Sequence, residues 1–202
     1  MKTYVRLLNP ILGLYFLTVS AQSVASDDIS IKLANQTGSE RQTEQQLKRI
    51  LKQYDLGAWT FTRSIVIDEN EIPHSHPVLT LHTRHIRDDE LLLSTYIHEQ
   101  LHWFVAQHPR EASEIVRELK SLYPDIPVGF PEGSSDAEGN YEHLIVVYLE
   151  YRADQRILGE LRAKNVMDFW SGDHYTWIYK EVLSHPRKVE KILKEHGLIP
   201  GS

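Results

Sequence analysis

The sequence predicts an α+β fold, with helices segregated from a small sheet. Two alternating runs of β-branched and aromatic residues lie in the first half of the chain. Five stretches of helical periodicity follow them, and no internal repeat or linker separates the two parts. The chain has 202 residues, 41% hydrophobic and 25% charged, which suits one globular domain.

The elements follow in order. Residues 1–25 carry Lys2 and Arg6, then a mostly apolar run from Leu7 to Val19, then Ser23-Val24-Ala25 with small residues at the cleavage positions. This is the pattern of a secretory signal peptide, and the run is shorter than the ~20 residues of a spanning helix. The expectation is an exported protein, periplasmic or secreted, with residues 26–202 as its single domain and no membrane span once the signal is removed. Residues 26–38 read as a polar lead-in. Leu47, Ile50, Leu51 and Tyr54 give helical spacing over Glu40–Tyr54, stopped near Gly57. Ala58–Asp68 and Pro77–Ile86 alternate as strands. Asp88 and Asp89 offer an N-cap to a helix reaching about Gln107, and Pro109 ends it. Further helices are predicted over Glu111–Leu122, Tyr141–Leu161, Asp173–Leu183 and Pro186–Lys194. The Pro- and Gly-rich stretch 124–140 is the longest loop, a length that often carries function.

Composition excludes several chemistries. With no cysteine there is no disulfide frame, thiolate metal knot or cysteine nucleophile. A net charge of −6 gives no basic footprint for nucleic acid. Any metal site must use His, Asp and Glu, and eleven histidines are present.

One motif points to chemistry. Residues 98–102 read His-Glu-Gln-Leu-His. On a helix His98 and His102 project from one face, one turn apart, and together suit one Zn2+ ion. Glu99 is rotated by about 100° and flanks that ion, where it can serve as general base toward water acidified by the metal. The flanking Leu91, Leu92, Leu93, Ile97, Leu101, Phe104 and Val105 make the helix apolar on its other sides, so these polar groups are expected to be buried and to need partners.

A catalytic zinc takes three protein ligands. On the helix around 141–161, His143, Val147, Glu150, Asp154 and Leu158 share one face. Two buried carboxylates one turn apart repel and call for a cation. Glu150 is therefore expected as the third ligand, with Asp154 accepting the second ring N–H of a ligating histidine. The alternative for that pair is neutralisation by Arg152 and Arg156. His143, about 10 Å further along the face, is the rival third ligand, and otherwise a catalytic residue at the rim.

HEQLH together with Glu150-Tyr151-Arg152-Ala153-Asp154 resembles the gluzincin clan of zinc metalloproteases, most closely its minimal soluble members and the heat-shock and CaaX-prenyl type peptidases. The resemblance covers roughly residues 77–161. It implies a zincin-like fold, in which an edge strand packs on the active-site helix beside a second, glutamate-bearing helix. It implies His98, His102 and Glu150 as ligands, Glu99 as base and Asp154 behind the ligands. It also implies an extended peptide or protein substrate paired with strand Pro77–Ile86. The heat-shock type carries a histidine five residues past its second ligand, where this chain has Gln107. A partner for the developing oxyanion would come from His143, His174, Tyr175 or Tyr179. His74, His76, His82 and His85 read as solvated loop and strand histidines, with a surface metal patch as the alternative. The competing functions are a non-proteolytic metal- or protein-binding module on the same frame, and a chaperone-like factor with an occluded cleft.

Overall fold

A computed structural model describes residues 29–200; the signal-peptide segment 1–25 lies outside them. The fold is α+β and mostly helical, with seven α-helices and a three-stranded sheet in the order β1-β2-β3 among the described residues. Strand β1 (Ser30–Leu33) pairs parallel to β2 (Ser64–Ile67), with Ser30 opposite Ser64, and β2 pairs parallel to β3 (Leu79–Leu81), with Ile65 opposite Leu79. Parallel neighbours need a crossover. Helix α1 (Gly38–Gln53) supplies the first and lays Leu47 and Ile50, both fully buried, against the sheet. Each such aliphatic side chain contributes about 1.5–3 kcal/mol on leaving water. Thr37 caps α1, and Glu40, at its third position, completes a capping box.

The second crossover, residues 68–78, carries no helix, and its end folds back on the sheet. His74 bridges Thr80 antiparallel, its N–H donating to the Thr80 carbonyl at 3.2 Å and its carbonyl accepting from Thr80 N at 2.8 Å. The outer edge of β3 is therefore already paired at its centre. The predicted ten-residue strand 77–86 shortens to three. Beyond Leu81 the chain turns: His82 Nδ1 accepts from Arg84 N, and His82 Nε2–H donates to the Glu69 carbonyl.

Helix α2 (Asp89–Ala106) starts at Asp88, whose carboxylate accepts from the amides of Glu90 and Leu91. Every residue from Leu91 to Leu101 is buried. Helices α3 (Pro109–Leu122) and α7 (Pro186–Glu195) are amphipathic, each opening with proline. Helix α4 (Ala137–Leu158) is the central rod, packed against α2, α3, α5 (Glu160–Trp170), α6 (Thr176–Ser184) and α7. Gly159, at φ 84°, stops α4 and turns the chain into α5. Three elements of the described residues were not anticipated: β1, α5 and a 3-10 turn at Gly57–Trp59, which opens the stretch expected as strand 58–68 and leaves only Ser64–Ile67 as strand. Among the described residues no helix is long and apolar enough to cross a membrane.

Candidate metal centre

Helices α2 and α4 cross with their polar residues facing. The single turn between His98 and His102 brings their ring centroids to 5.0 Å and their Nε2 atoms to 3.3 Å. From α4 the His143 ring closes the group, 5.6 Å from His98 and 4.9 Å from His102. One donor atom from each of the three lies within 4.8 Å of the others, so the group could hold a metal ion.

The backs of the three rings define what their fronts offer. His143 Nδ1–H donates to the Gly139 carbonyl at 2.6 Å, a partner that only accepts. His98 Nδ1–H donates to Glu150 Oε2 and His102 Nδ1–H to Glu142 Oε1, each at 2.8 Å. With every Nδ1 engaged as donor, the Nε2 lone pairs turn inward on one another, an arrangement that a cation relieves. Burial and the neighbouring imidazoles hold His98 well below its ordinary value and bring His143 down to about 3. Both rings are thus neutral at physiological pH, the form that binds metal. This donor set fits a resident divalent cation.

Glu150, expected as the third ligand, lies outside this group. Its Oε2 accepts from His98 Nδ1–H and from the Tyr179 hydroxyl at 3.0 Å; its Oε1 accepts from Ser94 Oγ, which itself accepts Trp170 Nε1–H. The carboxylate is saturated behind His98. The reason is the pitch of α4: residues 143 and 150 are about 10 Å apart along the axis, and the crossing sets the first against the imidazole fronts and the second against the back of His98. Asp154, expected behind a ligand, is fully buried with neither oxygen hydrogen-bonded. Burial and the Glu150 charge raise its carboxyl well above the ordinary range. The role expected of it falls to Glu150 and to Glu142. Glu142 was not anticipated, although its place beside His143 on α4 is a usable signal.

Glu99 is 6% exposed. Burial pushes it up to about 7. It lines a cleft of about 700 Å³ shared with the three imidazoles, His174, Tyr175 and Phe130. Tyr175 stacks on His143 at 4.1 Å from a left-handed backbone, φ 48°. A bulky residue there costs about 1–3 kcal/mol, a strain that clusters at functional sites. His174 Nδ1–H donates to Asp173, which Arg84 grips with both guanidinium nitrogens. Of the four groups expected to face an oxyanion, His143 belongs to the donor group and Tyr179 is committed to Glu150, while His174 and Tyr175 line the cleft wall.

The cleft's other wall is the 124–136 loop. Asn140, fully buried, fastens it, donating to the Pro127 carbonyl at 2.6 Å and accepting from Ser134 N. Asn140 passes so close that a Cβ on Gly133 would meet its amide at 2.5 Å, which explains glycine there. Among the described residues the upstream histidines form no metal group. His74 and His82 bond backbone carbonyls, His76 stacks on Trp103, and His85 sits against Phe169 and Trp170. The chain matches no protein-family model, no curated protein and no solved structure.

Proposed function

We propose that the protein is an exported zinc metallopeptidase of the zincin type, with His98, His102 and His143 as ligands and Glu99 as general base. The observation that carries this reading is the set of three imidazoles, each held at Nδ1 and turned inward at Nε2, in one cleft with the Glu99 carboxylate. Three imidazoles with an open position are a catalytic zinc donor set. Zinc held there supplies Lewis-acid polarisation of a carbonyl and acidification of water. The chain does the rest. Glu99 takes the proton of the attacking water and delivers it to the leaving amine nitrogen. Its burial, which raises its affinity for a proton, suits both halves of that task. Glu150 and Glu142 hold the rings in register, and His174 or Tyr175 meets the developing oxyanion from the cleft wall.

One observation favours a second reading, a metal-binding module without proteolysis: the β3 edge where the resemblance places the substrate is taken by His74. Glu99→Gln separates the two. It is expected to retain one zinc per chain while cleavage of a mixed peptide library falls about 10²- to 10⁴-fold, the usual weight of a general base. Bound zinc with undiminished cleavage overturns the role of Glu99. Bound zinc with no chelator-sensitive cleavage by the wild type favours the module.

A further inference from the structure

A peptide can be recognised through its backbone, as an added strand, or through its side chains. The cleft is poorly equipped for the first. Both outward main-chain groups of Thr80 are spent on His74. The segment that spends them is no better as an edge: Pro73 has no N–H, the Ile72 carbonyl accepts His74 Nδ1–H, and the Ser75 carbonyl accepts Trp103 Nε1–H at 2.8 Å.

The cleft is well equipped for the second. Ile72 and Phe130 are the two most exposed large hydrophobic residues among those described, at 78% and 82%, and both line the cleft that holds Glu99 and the imidazoles. Neither sits on a loose segment. Residues 72–75 are tied by the His74 bridge and by Trp103. The 127–134 loop is fastened by Asn140, and its Pro131 and Glu132 carbonyls accept the first amides of α6. Apolar surface displayed on fastened loops does nothing for the stability of the chain, yet it is preorganised to desolvate a partner.

We propose that the cleft selects substrate by capturing a bulky apolar side chain, next to the bond to be cleaved, between Ile72 and Phe130, and not by strand addition. The substrate class is then extended segments rich in Leu, Ile or Phe, as an unfolded protein offers. This rests on the metallopeptidase reading for its cleavage readout but not for its binding readout.

The experiment uses the zinc-loaded protein and a peptide series differing only in one residue, Leu, Phe, Ala or Ser. The expected wild-type preference for Leu and Phe over Ser is about 10-fold or more in kcat/KM, the range of apolar pocket discrimination. Ile72→Ser and Phe130→Ser are expected to bring that ratio toward 1 through KM, with zinc content unchanged. Methylating the backbone amides of the peptide on either side of the cleaved bond's flanking residues is expected to change the ratio little. A wild-type ratio near 1, a preference intact in both variants, or a preference abolished by backbone methylation overturns the proposal. So does a concentration-dependent dimer lost in Phe130→Ser, which would make the patch a contact between copies. If no peptide is cleaved, binding of the same series to zinc-loaded Glu99→Gln decides. Tighter binding of Leu and Phe peptides, lost in the two variants, upholds the capture while the peptidase reading fails; equal binding overturns the capture.

Discussion

The His98–Glu150 and His102–Glu142 pairs are chemically alike and placed in opposite surroundings. Each is an imidazole donating from Nδ1 to a carboxylate at 2.8 Å. The Glu150 side chain is 1% exposed and the Glu142 side chain 46%. Burial lifts the Glu150 carboxyl above its ordinary value, whereas the hydrogen bond from His102 lowers that of Glu142. The inner pair had to be completed by the protein, through Ser94, Tyr179 and Trp170, because a buried polar group left unpaired is costly. The outer pair leaves its spare lone pairs to water. The proposed metal site thus hangs from one anchor built into the core and one at its surface, and the two should answer differently to the same change.

The largest expected difference is in folding. Glu150→Ala strands His98 Nδ1–H, Ser94 and Tyr179 in the interior and should cost about 2–3 kcal/mol, the price of unsatisfied buried partners less the relief of Asp154. For a domain of this size that is about 4–12 °C in Tm. Thermal unfolding in the presence of chelator reads it without the metal's contribution. A variant melting within a degree of the wild type would mean that the inner anchor is as dispensable as the outer.

Glu142→Ala sharpens the contrast from the other side. Here the fold should hardly change, within about 0.5 kcal/mol, as for most surface substitutions. Zinc affinity should fall about 10- to 100-fold, the usual weight of a carboxylate behind a ligating histidine. Competition with a chromophoric chelator measures it. Unaltered affinity would show that His102 needs no orientation.

How much of this was legible in the sequence divides along the same line. His98, Glu99 and His102 are one turn of one helix, so their spacing and the Asp88 cap fix their geometry locally. The choice between Glu150 and His143 depends on how α2 crosses α4, a tertiary fact that periodicity on α4 alone does not contain. The two share a face, as expected, and the crossing assigns one to the fronts of the imidazoles and the other to a back. Strand β1 was missed because Ser30–Leu33 has no fully buried residue and is ordered by pairing with a strand more than thirty residues away. Strand 77–86 was overextended because side-chain bonds from His82 turn the chain, a competition that alternation does not register. Helix α5 was missed because Gly159 was not recognised as a joint between two helices.

A third imidazole–carboxylate pair, His174–Asp173, tests whether burial alone sets the contrast. Asp173 is 21% exposed at its side chain, between the other two, yet its carboxyl is brought down to about 2, with the Arg84 hydrogen bonds as the main cause. A cation placed beside it outweighs partial burial. The sign follows from the ordinary value of 3.8: because the folded state holds the charged form more firmly, the pair's contribution is full above about pH 4 and is lost as pH falls toward 2. Arg84→Met should remove most of that dependence. At neutral pH the loss should be at most about 1 kcal/mol, as for a partly exposed pair, or about 2–4 °C in Tm. Below pH 4 the wild-type and variant melting curves should converge, since protonated Asp173 gives Arg84 nothing to grip. Curves that stay parallel down to pH 2 would mean that the guanidinium contributes packing against Phe169, over whose ring it lies at 5.9 Å, and that its charge is incidental.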